Sequence, residues 1–570
     1  MRRLILFLIG SVFLFFVTDS LMAQGTCPSN VPAGVTKCYF IDYAGGSDAN
    51  NGTTDSAPWQ HAPGFANATG TPLAHTPSAG EGWIFKGGVT VDYHAWPANV
   101  PWGGTASNPT YIGVDPTWHT GTSWVRPIFS GGGSTGYDSN SRAMLTDVTH
   151  NTNYFIIDSI EFTGLYWSGN CGPSTQYACA YLATHSFNGV TNWEAKNLHV
   201  HGWSHPTGSF SDPGNYQYLI GVGMQAAAGT QSSIHDSIFD GSDTTKDCCA
   251  ASDAAITYNN YYAYLNNMYF QQAPSNQVSV FHDNYIVHQT GTLGNNGVHS
   301  NCFHSFAAGL TTSGGTFLVY DNYIDCKDAG TQAEGLLFET NGVTAYIFNN
   351  IVTLGQPSGI TPSAAKSGQA ANVYYVFNNT VDTYDATSTP GSQCYNLGYN
   401  SVGTFLDNFC ITNNNNSTSY GNYTFTGSVS FPSPTFSIDC HTGRGAQSNF
   451  GATQICAPIG SGNGTGNLNI SETYPFAPMD ATAAAKVGTG QNKSALCAAV
   501  SAINAAAGRA CLSDTTLGVA YDASNHTVSW PNRPPVPRPT GTTAWTNGAY
   551  EYGSGTSSVA PPSGLTATVN

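Results

Sequence analysis

Short runs of β-branched and aromatic residues recur along the middle of the chain, each broken by a two-residue polar turn. Tyr320-Asp321-Asn322-Tyr323-Ile324 is followed by Phe348-Asn349-Asn350-Ile351-Val352, Phe377-Asn378-Asn379-Thr380-Val381 and Leu406-Asp407-Asn408-Phe409-Cys410. Between the second polar residues of these signatures the steps are 28, 29 and 29 residues. A fixed period of this size marks stacked repeats, each burying its apolar face against its neighbours. Within one repeat the pattern predicts a strand over Thr316 to Tyr320, a turn at Asp321-Asn322 and a strand over Tyr323 to Asp325. A polar loop, Cys326 to Ala333, leads to a third strand, Glu334 to Glu339, and Asn341-Gly342 turns the chain back into Thr344 to Phe348. Three short strands and three turns per repeat is the layout of a parallel β-helix. Asn suits the turn because it tolerates a left-handed backbone and bonds neighbouring backbone groups. Stacked in register, such residues can form a ladder of amide hydrogen bonds.

Earlier segments fit the same pattern less regularly: Tyr154 to Asp158 with Ile160 to Phe162, Trp193 to Lys196 with Leu198 to Val200, Ser233 to His235 with Ile238-Phe239, and Val278 to His282 with Tyr285 to Val287. Tyr264-Leu265-Asn266-Asn267-Met268-Tyr269-Phe270 places its marker Asn267 only 17 residues before Asn284, too few for a coil. It reads as an excursion, such as a hairpin, from the loop before it. After Phe431 the ladder stops. Residues 436–552 carry two Cys pairs, a predicted short helix over Lys493 to Ala507 and a Pro-rich run, Pro531 to Pro539. This region is expected to cap the open end of the coil, where a strand edge would otherwise invite aggregation.

On these features the chain resembles secreted proteins with right-handed parallel β-helix repeats, the pectate-lyase-like superfamily. The resemblance extends to Tyr43-Ala44-Gly45-Gly46-Ser47-Asp48-Ala49-Asn50-Asn51-Gly52-Thr53, which is similar to their opening segment, and to Trp83-Ile84-Phe85-Lys86-Gly87-Gly88, similar to the strand that follows. Trp545-Thr546-Asn547-Gly548-Ala549-Tyr550-Glu551-Tyr552 resembles their closing motif. The expected fold is all-β, with an N-terminal cap and first coils over 24–130, the β-helix over 131–435 and a small irregular cap over 436–552. Residues 553–570 read as a linker-like tail, in which Pro561-Pro562-Ser563-Gly564-Leu565-Thr566-Ala567 resembles the start of a fibronectin-type module. One scaffold of this kind hosts many functions.

Composition narrows the setting. Met1-Arg2-Arg3, the apolar run Leu4 to Val17 and Ser20-Leu21-Met22-Ala23 read as a signal peptide over 1–23. The run is short for a membrane span of ~20 residues, so the mature chain is expected to be secreted, extracellular or periplasmic, without membrane insertion. Fourteen cysteines suit an oxidising compartment. Most fall in local pairs, Cys27/Cys38, Cys171/Cys179, Cys302/Cys326, Cys394/Cys410, Cys440/Cys456 and Cys497/Cys511, with Cys248-Cys249 left as a vicinal pair or two half-cystines. No C-x-x-C motif supports zinc on cysteine. The formal charge is −17, or −19 once Arg2 and Arg3 leave with the signal. An acidic chain so poor in Lys and Arg is not expected to bind nucleic acid or anionic membranes. It would also repel polyanionic substrates unless a basic patch or bound calcium reverses the sign. A monomer is expected.

No H-E-x-x-H or phosphate-binding loop is present, and the Asp pairs of polygalacturonase-like hydrolases are not recognisable. The resemblance implies a site on the third-strand face, beside the long loop that precedes it. Three neighbouring coils bring ionisable groups there: Lys246, Asp247 and Asp253; then His299, Asn301 and His304; then Lys327, Asp328, Glu334 and Glu339. Strand alternation places His299 and Asn301 on one face with Val298, Ser300 and Cys302 inward. His304 reaches that face only through a bulge or beyond the strand end. Glu334 and Glu339 cannot both point outward from one regular strand. Glu339 is favoured, because Leu336 and Phe338 then fill the core and Glu334 falls at the loop edge.

Two chemistries suit these residues. In a β-elimination lyase, Lys246 or Lys327 with His299 would take a proton beside a uronate carboxylate, with Asp247, Asp253 and Asp328 able to hold calcium. In a glycoside hydrolase, Glu339 with Asp253 or Asp328 would be the carboxylate pair. The catalytic candidates are therefore His299, His304, Glu339, Glu334, Lys327 and Asp253. The substrate-binding candidates are Asn301, Lys246, Tyr258 and Trp203, and Asp247 and Asp328 are the metal candidates, with calcium the only cofactor in view. A second cluster, His199, His201 and His205, reads as polar packing or a transition-metal site. Asp48 to Asp55 has calcium-loop composition but lacks the terminal Glu of an EF-hand and reads as a capping turn. The expected function is a secreted enzyme that cleaves an extracellular polysaccharide lying in a groove along the helix, by lyase or hydrolase chemistry. The competing reading is a non-enzymatic carbohydrate-binding or adhesive rod.

Overall fold

The computed structural model describes residues 26–99, 103–137, 144–146, 153–166, 192–204, 224–225, 232–243, 252–265, 277–287, 301–306, 314–326, 334–353, 358–364, 370–382, 393–396, 401–411, 423–426, 437–439, 453–459, 468–471, 481, 484, 489–515, 520–522, 527–529 and 535–552. The expected signal peptide and the linker-like tail lie outside them, as do Asn266, Asn267, Cys171, Cys179, Cys248 and Cys249.

The chain winds as a right-handed parallel β-helix. A first sheet of 13 strands runs from Lys37–Ile41 through Glu81–Gly87 to Ser401–Leu406, parallel throughout until Tyr423–Thr426 joins it antiparallel at the end. A second sheet of 11 parallel strands runs from Thr90–Val91 to Phe409–Ile411. The third is shorter and four-stranded: Phe303–Phe306, Leu336–Thr340, Ser358–Ala364 and Gln393–Tyr395. Side chains alternate as the pleat requires. In Asn372–Phe377 and Ser401–Leu406 every second residue is buried, and inward residues such as Phe281, Phe317, Phe338 and Val376 join one continuous core.

The turn between the first and second sheets divides its two polar residues by role. The first takes the left-handed conformation in coil after coil: Ser159, Asn197, Asp236, Asn259, Asp283, Asp321, Asn349, Asn378 and Asp407 all have φ between 51° and 61°. The second points inward and builds the ladder. Asn322 Nδ2 donates to Asn350 Oδ1 at 2.9 Å and to the carbonyls of Phe281 and Tyr320, while Asn350 Oδ1 also accepts from Asn322 N at 3.1 Å. Asn260, Asn284, Asn322, Asn350, Asn379 and Asn408 form one such row, each Nδ2 donating to the Oδ1 of the following coil. Each of these amides is buried in the turn, where a lost partner would cost ~1–3 kcal/mol.

Asn260 corrects the reading of the irregular stretch. Ile256–Tyr258 and Tyr261–Ala263 are full members of the first and second sheets, in register with Val280–His282 and Tyr285–Val287. The coil's marker is Asn260, 24 residues before Asn284, not Asn267. The excursion expected over Tyr264 to Phe270 falls, from Asn266 onward, outside the described residues.

Outside the first sheet, His235, Tyr258, His282, Tyr320, Phe348 and Phe377 stack ring on ring, with centroids 4.5–5.2 Å apart. The far half of this column is covered. Tyr320, Phe348 and Phe377 pack against Cys497, Val500, Ala507, Cys511 and Trp545, from two helices, Ser494–Ile503 and Ala505–Cys511, and the closing motif. These two helices and the closing motif thus lie along the flank of the coil, while Tyr423–Thr426 pairs with the last first-sheet strand. Arg538, fully buried, donates to Glu551 Oε2 at 3.0 Å and to Asn349 Oδ1 at 2.8 Å. Asn378 donates to the Thr546 carbonyl at 3.1 Å, and Gly548 N donates to the Asp407 carbonyl at 2.8 Å.

Three of the expected disulfides are formed: Cys27–Cys38, Cys302–Cys326 and Cys497–Cys511. Among the described residues no helix is long and apolar enough to cross a membrane. At the N-terminal end, the Asp48 carboxylate accepts from His61 N, the His61 ring, Thr69 N and Thr69 Oγ1, at 2.6–3.0 Å. Protein donors therefore occupy it as a capping turn would. Burial raises its pKa, but these bonds outweigh burial and leave it below the usual carboxylate range.

Candidate functional site

The third sheet carries the ionisable cluster. In Leu336–Thr340, Leu336 and Phe338 point into the core and Glu339 points out, half-buried. Leu337 is in register with His304 of the preceding coil, so His304 and Glu339 sit diagonally on one outer face. His304 Nε2 and Glu339 Oε2 are 3.0 Å apart. Alternation in Phe303–Phe306 explains the orientation, because Phe303 fills the interior and its neighbour must face out.

Glu334 stands just before the same strand, at the loop edge. Its carbonyl accepts from Cys302 N at 3.1 Å, and Gly335 then lets the backbone pass close to the next coil. A Cβ on Gly335 would lie 2.5 Å from the Gly359 carbonyl oxygen. Burial and the charge of Glu339 together push the Glu334 carboxyl up to about 7. One carboxyl is therefore held protonated near neutrality beside a second carboxylate that is paired with a histidine. A carboxyl raised in this way suits acid–base work. The Cys302–Cys326 disulfide fixes the chain two residues before His304 and joins it to the end of Tyr323–Asp325.

The other sequence candidates fall elsewhere. His299, Lys246, Lys327, Asp247 and Asp328 lie outside the described residues, as does His205. Asp253 is described in its backbone only, on a short strand paired with Met224–Gln225. Three assignments are corrected. Asn301 is fully buried rather than outward, because the strand begins at Phe303 and alternation cannot be counted back through it. Its amide finds no hydrogen-bond partner among the described residues. Trp203 belongs to the interior core and is fully buried, so it presents nothing to a ligand. Tyr258 lies on the first sheet with its ring between His235 and His282, at 4.5 and 5.0 Å. Both ring faces are taken, leaving none for a sugar.

Sequence reasoning missed Glu161. It is directly in register with His199 on the second sheet, and its carboxylate faces both His199 and His201. The only signal in the sequence is its outward position beside the inward Phe162.

No protein-family model matches the chain, and no curated protein matches it. Similar solved structures include the GH136 lacto-N-biosidase from Eubacterium ramulus, at 12% identity over 63% of this chain and 66% of that one, with a TM-score of 0.32. The chain thus spans just under two thirds of that protein. Pectate lyase Pel9A is similar at 12% identity over 69% of this chain and 82% of its own, with a TM-score of 0.31. The A-module of the Azotobacter vinelandii mannuronan C-5 epimerase AlgE4 is similar at 12% identity over 59% and 81%, with a TM-score of 0.26. The assignment of this chain as a parallel β-helix stands on its own strand order and register.

Proposed function

We propose that this protein is a secreted enzyme that cleaves an extracellular polysaccharide on the face of its third sheet, by hydrolysis. The observation that carries the reading is Glu334, a half-buried carboxyl at the loop edge that is pushed up to about 7 by desolvation and the charge of Glu339. In this mechanism Glu334 donates its proton to the glycosidic oxygen as the bond to the anomeric carbon breaks. Glu339, held by His304, acts on the other side of the sugar as base toward water or as nucleophile. Disulfides at Cys27–Cys38, Cys302–Cys326 and Cys497–Cys511 fit an oxidising, extracytoplasmic setting.

The test is a panel of neutral and uronate polysaccharides, with and without calcium, followed by reducing ends and by ultraviolet absorbance. New reducing ends without absorbance, lost in Glu334→Gln and Glu339→Gln, support hydrolysis. Ends accompanied by absorbance mean β-elimination. Binding with neither would leave a carbohydrate-binding rod.

A further inference from the structure

The second sheet carries a second constellation of donor atoms, on coils that the amide ladder does not reach. Glu161 and His199 are in register on adjacent coils, and His201 follows two residues along the same outer face. Glu161 Oε1 lies 3.1 Å from His201 Nε2, and Glu161 Oε2 lies 4.0 Å from His199 Nδ1. One donor atom from each of the three residues lies within 4.8 Å of the others. The two imidazoles are nearly parallel, 4.1 Å between centroids. On its far side, His201 Nδ1 bonds Asp243 Oδ2 at 2.7 Å, and Gly202 N holds the other oxygen of Asp243 at 3.0 Å.

We propose that Glu161, His199 and His201 bind one divalent transition-metal ion, with Zn²⁺ the best fit, and that Asp243 positions His201 for it. The chemistry of the set is right: two imidazoles and one carboxylate suit Zn²⁺ and its neighbours, whereas Ca²⁺ and Mg²⁺ require oxygen ligands. The spacing is close to right as well. Ligands about 2.1 Å from a tetrahedral ion sit about 3.4 Å from one another, between the 3.1 and 4.0 Å found here. An outer carboxylate on the second nitrogen of a histidine fixes its tautomer and aims Nε2 at the metal. Asp243 supplies that contact. Among the described residues, Asp240, in register with His201 on the next coil, and the half-buried Arg126, within electrostatic reach of Glu161, are further charged groups around the site.

The position suggests what the ion does. At these coils the inward turn positions are Ile160 and Leu198, and the row of amides begins only at Asn260. A metal bridging Glu161 to His199 and His201 ties two adjacent coils where the inward row of amides is missing and where the outer Asn197 amide, on Asp158 at 2.7 Å, links the turns. Its role is then structural, and it stands apart from the third-sheet cluster and from the reading of that cluster as catalytic.

The experiment uses the purified full chain, stripped with chelator and dialysed, then titrated with Zn²⁺ by calorimetry and with Co²⁺ by visible spectroscopy. One equivalent should bind, with Co²⁺ d–d bands of low-symmetry, nitrogen- and oxygen-ligated metal. Affinity should fall at least ~100-fold in His199→Gln and in Glu161→Gln, and ~10–100-fold in Asp243→Asn. Zn²⁺ should raise the melting temperature of the wild type and not of His199→Gln. Should His199→Gln fail to fold, the half-buried Glu161→Gln carries the test alone. No binding by the wild type would overturn the proposal, leaving a proton on His201 Nε2 shared with Glu161. Unchanged stoichiometry and affinity in the variants would overturn it equally, by placing the metal elsewhere.

Discussion

Arg538 Nη2 donates to Asn349 Oδ1 at 2.8 Å, across 189 residues of chain, and so joins the closing segment to the left-handed row of the coil. The same guanidinium pairs with Glu551, and Asp514 lies within electrostatic reach. Arg538→Met keeps most of the side chain's bulk but leaves Glu551 and Asp514 buried without their cation. A loss of ~3–5 kcal/mol is expected from breaking a buried pair on one side. Urea unfolding measures it, and a loss under ~1 kcal/mol would show that the closing segment does not depend on this residue.

The two polar residues of each turn should differ sharply in cost. Asn350→Leu removes a buried amide that donates to Val319 O, Phe348 O and Asn379 Oδ1 and accepts from Asn322. With several buried groups left unpaired, the expected cost is ~3 kcal/mol or more. Asn259→Gly replaces a left-handed residue by one that adopts that conformation freely, and among the described residues its amide bonds Asp236 alone, at 3.2 Å. That change should stay within ~0.5 kcal/mol. Equal costs in matched denaturation curves would refute the division of roles.

Glu334 should show opposed effects on activity and stability. Its folded pKa is raised to about 7, so its contribution to stability is present below its ordinary pKa and is lost as pH rises through about 7. Glu334→Gln removes that penalty and should stabilise the protein on the order of 2 kcal/mol at pH 8, with no gain at pH 4. Turnover should fall ~10²–10⁴-fold, and the wild-type rate should decline as pH rises through about 7. A variant that retains activity would place the acid elsewhere.

On the first sheet, Glu194 and His235 should shape the acid limb of stability. His235 Nε2 lies 3.1 Å from Glu194 Oε1, with Lys196 Nζ at 2.9 Å from the same oxygen. The hydrogen bond from His235 is the main reason Glu194 is lowered to about 2. A depressed carboxylate contributes stability above its unfolded pKa, so that contribution should fade between about pH 4.5 and 2. His235 is itself raised despite burial, by Asp236 and Glu194, so its contribution is lost as pH rises through its raised pKa. Glu194 is 32% exposed, and solvent screening limits the effect to the order of 1–2 kcal/mol. Glu194→Gln should flatten the stability profile below pH 4.5, and a profile unchanged from the wild type there would show that the pair does not shape the acid limb.

The Cys302–Cys326 bond encloses the segment between two coils and anchors the strand that bears His304. Replacing both cysteines by Ser should cost ~3 kcal/mol through the longer free loop of the unfolded chain. Activity per folded molecule should fall as well, because His304 loses its anchor. Full specific activity in a folded double variant would show that the strand holds His304 unaided.

The period of the Asn signatures made the coil legible, because one side chain at a regular spacing served both the turn and the interior. The outward aim of Glu339 was legible for a similar reason: Leu336 and Phe338 leave it no other direction. The coil of Asn259-Asn260 was hidden by a second Asn pair, Asn266-Asn267, only 7 residues further on. Asn301 was misplaced because alternation was counted from His299, ahead of a strand that starts at Phe303. Glu161 was invisible because its partner His199 lies 38 residues away, and only strand register brings them together.

The closing segment touches Asn349, Asn378 and Asp407, the left-handed residues of three consecutive turns, and touches them in order. It behaves as a gauge with fixed graduations. Removing one whole repeat, Asn350 through Asn378, would join Asn349 to Asn379, bring the next left-handed residue to the same mark and leave the gauge readable. Removing half a repeat would put a strand where each mark expects a turn. The length of this molecule can therefore change in whole turns, and its own C-terminal segment enforces the count.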